Sequence, residues 1–81
     1  MTERFTDIIV HRSHRFSLGL DNQTGQYYLS TPISGFNRAV EFEAYYRVSP
    51  DEFERFRDDP AACEDFLETC RNHRIEERRI A

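Results

Sequence analysis

The stretch of sequence that decides the fold covers residues 40–56 and reads VEFEAYYRVSPDEFERF. Its hydrophobic period changes at Ser49 from two residues to about three and a half. Upstream of Ser49 the apolar positions are Val40, Phe42, Ala44, Tyr46 and Val48, and the positions between them are Glu41, Glu43, Tyr45 and Arg47. Because successive side chains of a strand point to opposite faces, this segment is predicted to be a strand with one apolar and one charged face. The alternation favours an antiparallel sheet with one face in water, since a strand covered on both faces reads as a continuous apolar run.

The segment that follows carries the signals of a helix start. Ser49 is predicted to be the N-cap, its hydroxyl accepting from the backbone N–H of Glu52 while the Glu52 carboxylate accepts from the Ser49 N–H, as in a capping box. Pro50 stands at the first helical position, where the N–H that proline lacks would have no partner within the helix. Asp51, Glu52 and Glu54 place negative charge near the positive end of the helix dipole. The strand is therefore predicted to end, and a helix to begin, at Ser49.

Two more strands are predicted upstream. Apolar residues at positions 16, 18 and 20 alternate with small ones, and residues 27–31 repeat the alternation. Turn-forming residues at positions 21–25 separate the two segments, and Gly25 is placed to adopt a left-handed conformation, so a hairpin with a loop of about four or five residues is predicted. Residues 32–37 are predicted to connect this hairpin to the strand that ends at Val48. Residues 5–10 are rich in β-branched side chains and are predicted to form a fourth strand or a short helix capped at Thr2.

Two helices are predicted after the sheet. The first must end before Pro60, and Asp59 is predicted to be the N-cap of the second. Apolar residues in both helices recur at helical spacing, so each helix has a stripe that needs the apolar face of the sheet. The residues expected at this contact are Phe53 and Phe56 of the first helix, Cys63, Phe66, Leu67 and Cys70 of the second, and Phe16, Leu18, Tyr27, Leu29, Phe42 and Tyr46 of the sheet. For residues 75–80 the sequence leaves three alternatives: an extension of the second helix, pairing as an edge strand, or a frayed end.

The sequence thus predicts an α+β fold, a three- or four-stranded antiparallel meander followed by two helices packed on one face of the sheet. A chain of 81 residues corresponds to a single small globular domain, residues 1–81, without room for a deep catalytic cavity. No segment reaches the roughly 18 to 20 apolar residues of a membrane span, and the polar start lacks a signal-peptide pattern. We therefore expect a cytoplasmic protein. Cys63 and Cys70 fall on one predicted helix with their Cα atoms about 10 Å apart, so free thiols are expected.

The sequence lacks the usual patterns of catalytic and metal sites. His11, His14, Cys63, Cys70 and His73 do not have the spacing of a zinc site, and we expect no metal or other cofactor. The three glycines are too scattered for a phosphate-binding loop or a nucleophile elbow. The enzymatic alternative is a carboxylate pair, Glu41 and Glu43, at about 7 Å on one strand face. Because both are expected to project into water, a solvated charged row is the preferred interpretation and the protein is predicted not to be an enzyme.

The distribution of charge bears on nucleic acid as a partner. The chain has a formal net charge of -4. Residues 51–68 hold eight acidic residues against two Arg, a net of -6, whereas residues 71–79 hold four Arg against two Glu, a net of +2. An acidic helical face repels phosphate, and the strands lack an aromatic pattern that stacks bases. We therefore do not expect a nucleic-acid partner, although a nucleic-acid-associated accessory protein stays as an alternative.

The remaining functional class is protein interaction. The predicted binding residues are Tyr28, Glu41, Glu43, Tyr45 and Arg47, all on the face of the sheet expected to be in water. Tyr and Arg are enriched at binding hot spots, although cross-strand pairs of these residues also stabilise exposed sheets that have no partner. The sequence therefore predicts a non-enzymatic interaction module that binds a protein partner or itself, through a sheet edge or face. Size and charge alone also give an analogy with toxin-neutralising immunity proteins and acidic inhibitors.

Overall fold

The computed structural model describes residues 4–34, 41–72 and 74–80. Within these residues, four antiparallel strands form one sheet in the order β1-β2-β3-β4. The strands are β1 (Phe5–His11), β2 (Phe16–Asp21), β3 (Gln26–Ser34) and β4 (Glu41–Val48). After the sheet come the helix α1 (Pro50–Asp58), a 3-10 turn (Pro60–Cys63), the helix α2 (Glu64–Arg71) and a second 3-10 turn (Glu76–Arg78). This arrangement confirms the predicted α+β fold, a strand meander followed by helices.

The segment at residues 5–10 is a strand and not a helix, which makes the meander four-stranded. Strand β1 pairs antiparallel with β2 from Phe5 opposite Asp21 to His11 opposite Phe16. The register shifts by one residue between Asp7 and Ile9, so β1 has a bulge at this point. The predicted hairpin follows β2, with a loop of residues 22–25 in which Gly25 has a φ of 75°.

Strand β3 is longer than predicted, because Pro32 and Ile33 belong to it and not to a connection. They pair with Glu43 and Phe42 of β4. The pairing of β3 with β2 ends at Ser30. Pro32 therefore lies where β3 is bonded to one neighbouring strand only, and a residue without an N–H is tolerated there. Val40, which was predicted to belong to β4, lies outside the described residues, as does His73.

The helix start at Ser49 has the predicted geometry. The Glu52 N–H donates to the Ser49 hydroxyl at 3.1 Å, and the Ser49 N–H donates to the Glu52 carboxylate at 2.9 Å. Asp59 is the N-cap residue of the 3-10 turn that leads directly into α2, and not of the α-helix itself as predicted. Within the described residues, no backbone N–H of the turn donates a capping hydrogen bond to the Asp59 side chain. Pro60 starts the tighter turn, which delays the second α-helix until Glu64.

The helices cover one face of the sheet and bury two apolar clusters against it. In the larger cluster the helical residues Phe53, Phe56, Cys63 and Leu67 meet Phe16, Leu18, Leu29 and Val48 of the sheet. The smaller cluster contains Ile33, Ala44, Tyr46 and Cys70. Both cysteines are free and fully buried, and burial raises the pKa of each thiol to about 12. The prediction of free thiols is confirmed.

Phe42 departs from the predicted core. It shares a face with Tyr46 but is 37% exposed. It lies at the start of β4, where the group over its ring is the Arg79 guanidinium, 5.1 Å from the ring centroid. Alternation assigned the correct face, but the helices do not extend over this end of the strand.

The C-terminal residues pair with the edge of the sheet. After the turn at Glu76–Arg78, Arg79 forms an antiparallel bridge with Tyr46. The Ile80 N–H then donates to the carbonyl of Tyr45 at 2.8 Å. Of the three alternatives for residues 75–80, edge pairing is therefore the one observed, over a short length.

Candidate functional site

The five predicted binding residues lie on the sheet face opposite the helices, which we call the uncovered face. Strand alternation places Glu41, Glu43, Tyr45 and Arg47 of β4 on this face. The register sets Tyr28 opposite Arg47 and Pro32 opposite Glu43. The structure thus brings together Tyr28 and the four residues that we call the β4 row, namely Glu41, Glu43, Tyr45 and Arg47.

Three rings meet on the uncovered face and form what we call the aromatic cluster, Phe5, Tyr28 and Tyr45. Phe5 stacks on Tyr45 with 4.1 Å between ring centroids and 13° between ring planes. Tyr28 meets both rings edge-on, with centroid distances of 5.2 Å. Such offset and edge-on contacts are favourable geometries for aromatic pairs. The cluster links β1 to β4 across the two central strands.

Tyr28 is buried, at 0% exposure, and its expected exposure is wrong. Its ring lies across Gly19, the residue opposite it on β2. A Cβ atom on Gly19 would lie 2.5 Å from the Tyr28 hydroxyl oxygen and 2.2 Å from the Thr6 carbonyl oxygen. Only glycine leaves room for the ring at this position. A glycine inside a strand pattern is a sign of close approach by another group, and it was the available sequence signal for this burial.

The hydroxyl of Tyr28 donates a hydrogen bond to the carboxylate of Asp7 on β1. Burial raises the pKa of Tyr28 far above its ordinary value, and the hydrogen bond to Asp7 raises it further. The phenol is therefore neutral at physiological pH and acts as a donor. Tyr28 forms the floor of the cluster and fixes its position, while Tyr45 and Phe5 form the outer part.

A buried carboxylate lies beside the aromatic cluster. Asp21 is at 0% exposure and pairs with Arg4 at 3.3 Å, while also accepting from the Gln23 N–H at 2.9 Å. Burial alone would raise the pKa of Asp21, but the hydrogen bonds from Arg4 and Gln23 outweigh it and hold the pKa below its usual range. The Arg4 guanidinium also lies 4.9 Å from the ring centroid of Phe5. The pairing of Arg4 with Asp21 was not identified from sequence, where Asp21 was predicted to be a turn residue.

The charged members of the β4 row differ in their pairing. Glu41 accepts a hydrogen bond from the Arg15 guanidinium at 3.0 Å. Glu43 and Arg47 are exposed, and neither forms an ion pair within residues 4–34, 41–72 and 74–80. Tyr45, between them, is half-buried, and its burial, followed by the nearby Glu43 carboxylate, raises its pKa. The row thus presents a free negative group, an aromatic ring and a free positive group in that order.

A shallow depression lies beside the aromatic cluster on the uncovered face. Its volume is about 240 Å³, and Ser17 and Pro32 line it together with Glu43. Val10 of β1 also lines it and is 55% exposed. The small side chains of Ser17 and Ser30, which face each other across β2 and β3, keep this part of the sheet low. The uncovered face therefore has a raised aromatic part and a lowered part.

The larger cavity, about 390 Å³, lies at the junction of β4 and α1. Its polar groups are mostly engaged: Ser49 and Glu52 bond each other, and Arg78 donates to Glu52 at 2.9 and 3.0 Å. Burial would raise the pKa of Glu52, but the Ser49 N–H and Arg78 hold it below its usual value. Arg47 reaches this cavity from the β4 row. Because Ser49, Glu52 and Arg78 bond one another, these groups stabilise the start of α1 and are not available to bind a ligand.

The histidines and carboxylates do not assemble into a recognisable centre in the described part of the chain. No group of three or more His, Cys, Asp or Glu in that part is arranged to hold a metal ion. His14 instead contacts Glu64 of α2 at 2.6 Å. Crossing a membrane would take a longer and more apolar helix than any found among residues 4–34, 41–72 and 74–80.

Comparison of the chain with protein-family models, with curated proteins and with solved structures finds no match. The function must therefore be argued from the geometry of the uncovered face.

Proposed function

We propose that this protein is a non-enzymatic interaction module that binds a protein through its uncovered face. The observation that carries the proposal is the run Glu43, Tyr45, Arg47 on this face, in which two exposed charges without an ion-pair partner among the described residues flank a half-buried ring that stacks on Phe5. Buried cysteine thiols in the core support a reducing compartment such as the cytoplasm.

The rigidity of the aromatic cluster supports a binding role. Tyr45 stacks on Phe5, and Tyr28 beneath them is held by Asp7 and Gly19. A side chain that is already ordered loses little conformational entropy on binding, where an ordinary side chain costs about 0.5 to 1.5 kcal/mol. Tyrosine also combines a large apolar surface with a polar hydroxyl, which suits the centre of a protein interface.

The unpaired charges support specificity. Glu43 and Arg47 flank Tyr45 on the same strand face, and within the described residues neither has an ion-pair partner to give up on binding. Charges at the border of an interface mainly determine the rate of association and the choice of partner. A partner that fits this face has an apolar centre with a positive group near Glu43 and a negative group near Arg47.

The test compares variants on the two sides of the molecule. Tagged wild-type protein, Tyr45→Ala, Arg47→Ala and the control Arg71→Ala are used to capture partners from cells of the source organism after chemical cross-linking. Arg71 is an exposed arginine at the end of α2, away from the uncovered face. We expect Tyr45→Ala and Arg47→Ala to reduce the captured protein about tenfold, and Arg71→Ala to leave it unchanged. Circular dichroism checks that each variant is folded. Equal capture by all four proteins would contradict the proposal.

A further inference from the structure

We propose that the partner on the uncovered face is a second copy of this chain, packed face to face about a two-fold axis that crosses the strands at Tyr45. This inference rests on the proposed function, because it names the occupant of the same surface. Its support is the charge order of the β4 row, together with the exposed Val10 at the level of the axis.

The charge order is self-complementary. Glu43 and Arg47 lie two residues to either side of Tyr45, about 7 Å away along the strand. A two-fold axis that lies between the two faces and crosses the strands at Tyr45 reverses the direction of β4 in the second copy. Glu43 of each copy then lies over Arg47 of the other, so two opposite-charge pairs form. An isologous contact of this kind needs no other partner.

The residues at the level of the axis meet their own copies. Val10, Ser17, Ser30 and Tyr45 lie at one level across the four strands, since each pairs with the next in the register. The rotation that pairs the charges therefore sets Tyr45 over Tyr45, and the small side chains of Ser17 and Ser30 over their own copies. Val10, which is 55% exposed, would be covered in the same contact.

The resulting architecture is a sandwich of two sheets with the helices outside. Packed sheets lie about 10 Å apart, with strand directions within about 30° of each other. Each sheet would then be covered on both faces, by its own helices and by the partner sheet. A face of four strands with about six residues each measures on the order of 400 Å². This is smaller than the ~800 Å² per partner of a standard interface, so we expect a weak dimer that forms at micromolar or higher concentration.

The test is sedimentation equilibrium over a range from about 5 to 500 µM. We expect wild-type mass to rise from monomer to dimer, and Glu43→Arg or Arg47→Glu to weaken association at least tenfold, because like charges then meet across the axis. The double reversal Glu43→Arg/Arg47→Glu restores both pairs with opposite signs and should return the affinity to within about threefold of wild type. Arg71→Glu, a charge reversal on the helical side, is the matched control and should dimerise like wild type.

The outcomes separate this inference from the proposed function. Wild-type protein that stays monomeric over the whole range overturns the second copy as partner, whereas the proposed function is judged by the Arg47→Ala capture experiment. A dimer that neither single reversal weakens overturns the face-to-face geometry. A dimer weakened by both single reversals but not restored in the double variant also overturns it, since paired charges across a two-fold axis must compensate.

Discussion

The two faces of the sheet bury aromatic side chains in different ways. On the helix-covered face, Tyr27 stacks on Phe53 of α1 at 4.2 Å and the core is closed by residues from another layer. Tyr27 is partly buried, whereas Tyr28 on the uncovered face is fully buried, and the cover of Tyr28 consists of Phe5 and Tyr45 from the sheet itself. Tyr28 is therefore buried without a second layer over it, because Gly19 beneath its ring leaves room.

The two faces also differ in how their buried polar groups are satisfied. On the helix-covered face the larger cluster is made of apolar side chains and a thiol, and the smaller cluster buries the Tyr46 phenol, which donates to the Cys70 carbonyl at 3.5 Å. The uncovered face buries a phenol and a carboxylate, and each has a partner, Asp7 for Tyr28 and Arg4 for Asp21. Contacts between apolar side chains have little directional preference, whereas a buried polar group that loses its hydrogen-bond partner lowers the free energy of unfolding. The uncovered face should therefore be the more geometrically demanding of the two.

The largest effect is expected on the covered face, for Leu67→Ala. Leu67 is fully buried in the larger cluster, so truncation removes apolar contacts and leaves a cavity. We expect a loss of about 3 to 4 kcal/mol in the free energy of unfolding, measured by urea denaturation. Leu20→Ala, at a partly exposed position on the same sheet face, is the control and should cost clearly less. Equal losses for the two variants would show that the helices do not close the core as described.

The next largest effect is expected from Gly19→Ala on the uncovered face. The added methyl group meets backbone as well as the Tyr28 ring, so β1 or the ring must move. We expect a loss of about 2 to 3 kcal/mol in the free energy of unfolding, which is large for one added carbon. The double variant Gly19→Ala/Tyr28→Ala separates the two clashes, because the ring is absent and any further loss relative to Tyr28→Ala alone comes from the clash with the Thr6 carbonyl. A Gly19→Ala variant as stable as wild type would contradict the close approach.

The smallest effect is expected from Asp21→Asn, and it should depend on pH. Since the folded-state pKa of Asp21 is lowered, the ionised carboxylate stabilises the fold above its unfolded pKa, and this contribution is lost as the pH falls through the folded pKa. At pH 7 we expect Asp21→Asn to be less stable than wild type by about 1 to 2 kcal/mol. Below about pH 4 the difference should narrow. Denaturation of both proteins at pH 7 and pH 2 measures it, and a constant difference would show that the Arg4 pair contributes nothing.

Local sequence signals were sufficient for most of the fold. The change of period at Ser49 located the end of β4 and the start of α1, because a capping box is formed by residues three positions apart. The hairpin before β3 was equally readable, since its turn depends on Gly25 and its immediate neighbours. These features are determined within a few residues of chain and need no information on distant contacts.

The errors arise where distant segments meet. Alternation showed which face Tyr28 and Phe42 occupy, but how far each is covered depends on Phe5, on Gly19 and on where the helices end. Pro32 was assigned to a connection because its tolerance in β3 depends on how far β2 extends. The pairing of Arg4 with Asp21 joins residues 17 positions apart, and no local pattern indicates it.

The bulge in β1 bears on how this protein avoids aggregation. Ile8 and Val10 are about half exposed on an edge strand, and a flat edge with such side chains would accept strands of other molecules. The extra residue at the bulge breaks the regular spacing of backbone donors and acceptors that an added strand must match. At the opposite edge, residues 79 and 80 already bond to β4. Growth of the sheet by repeated edge addition, the route to fibrils, is therefore hindered at both ends, whereas pairing through a face stops at two molecules.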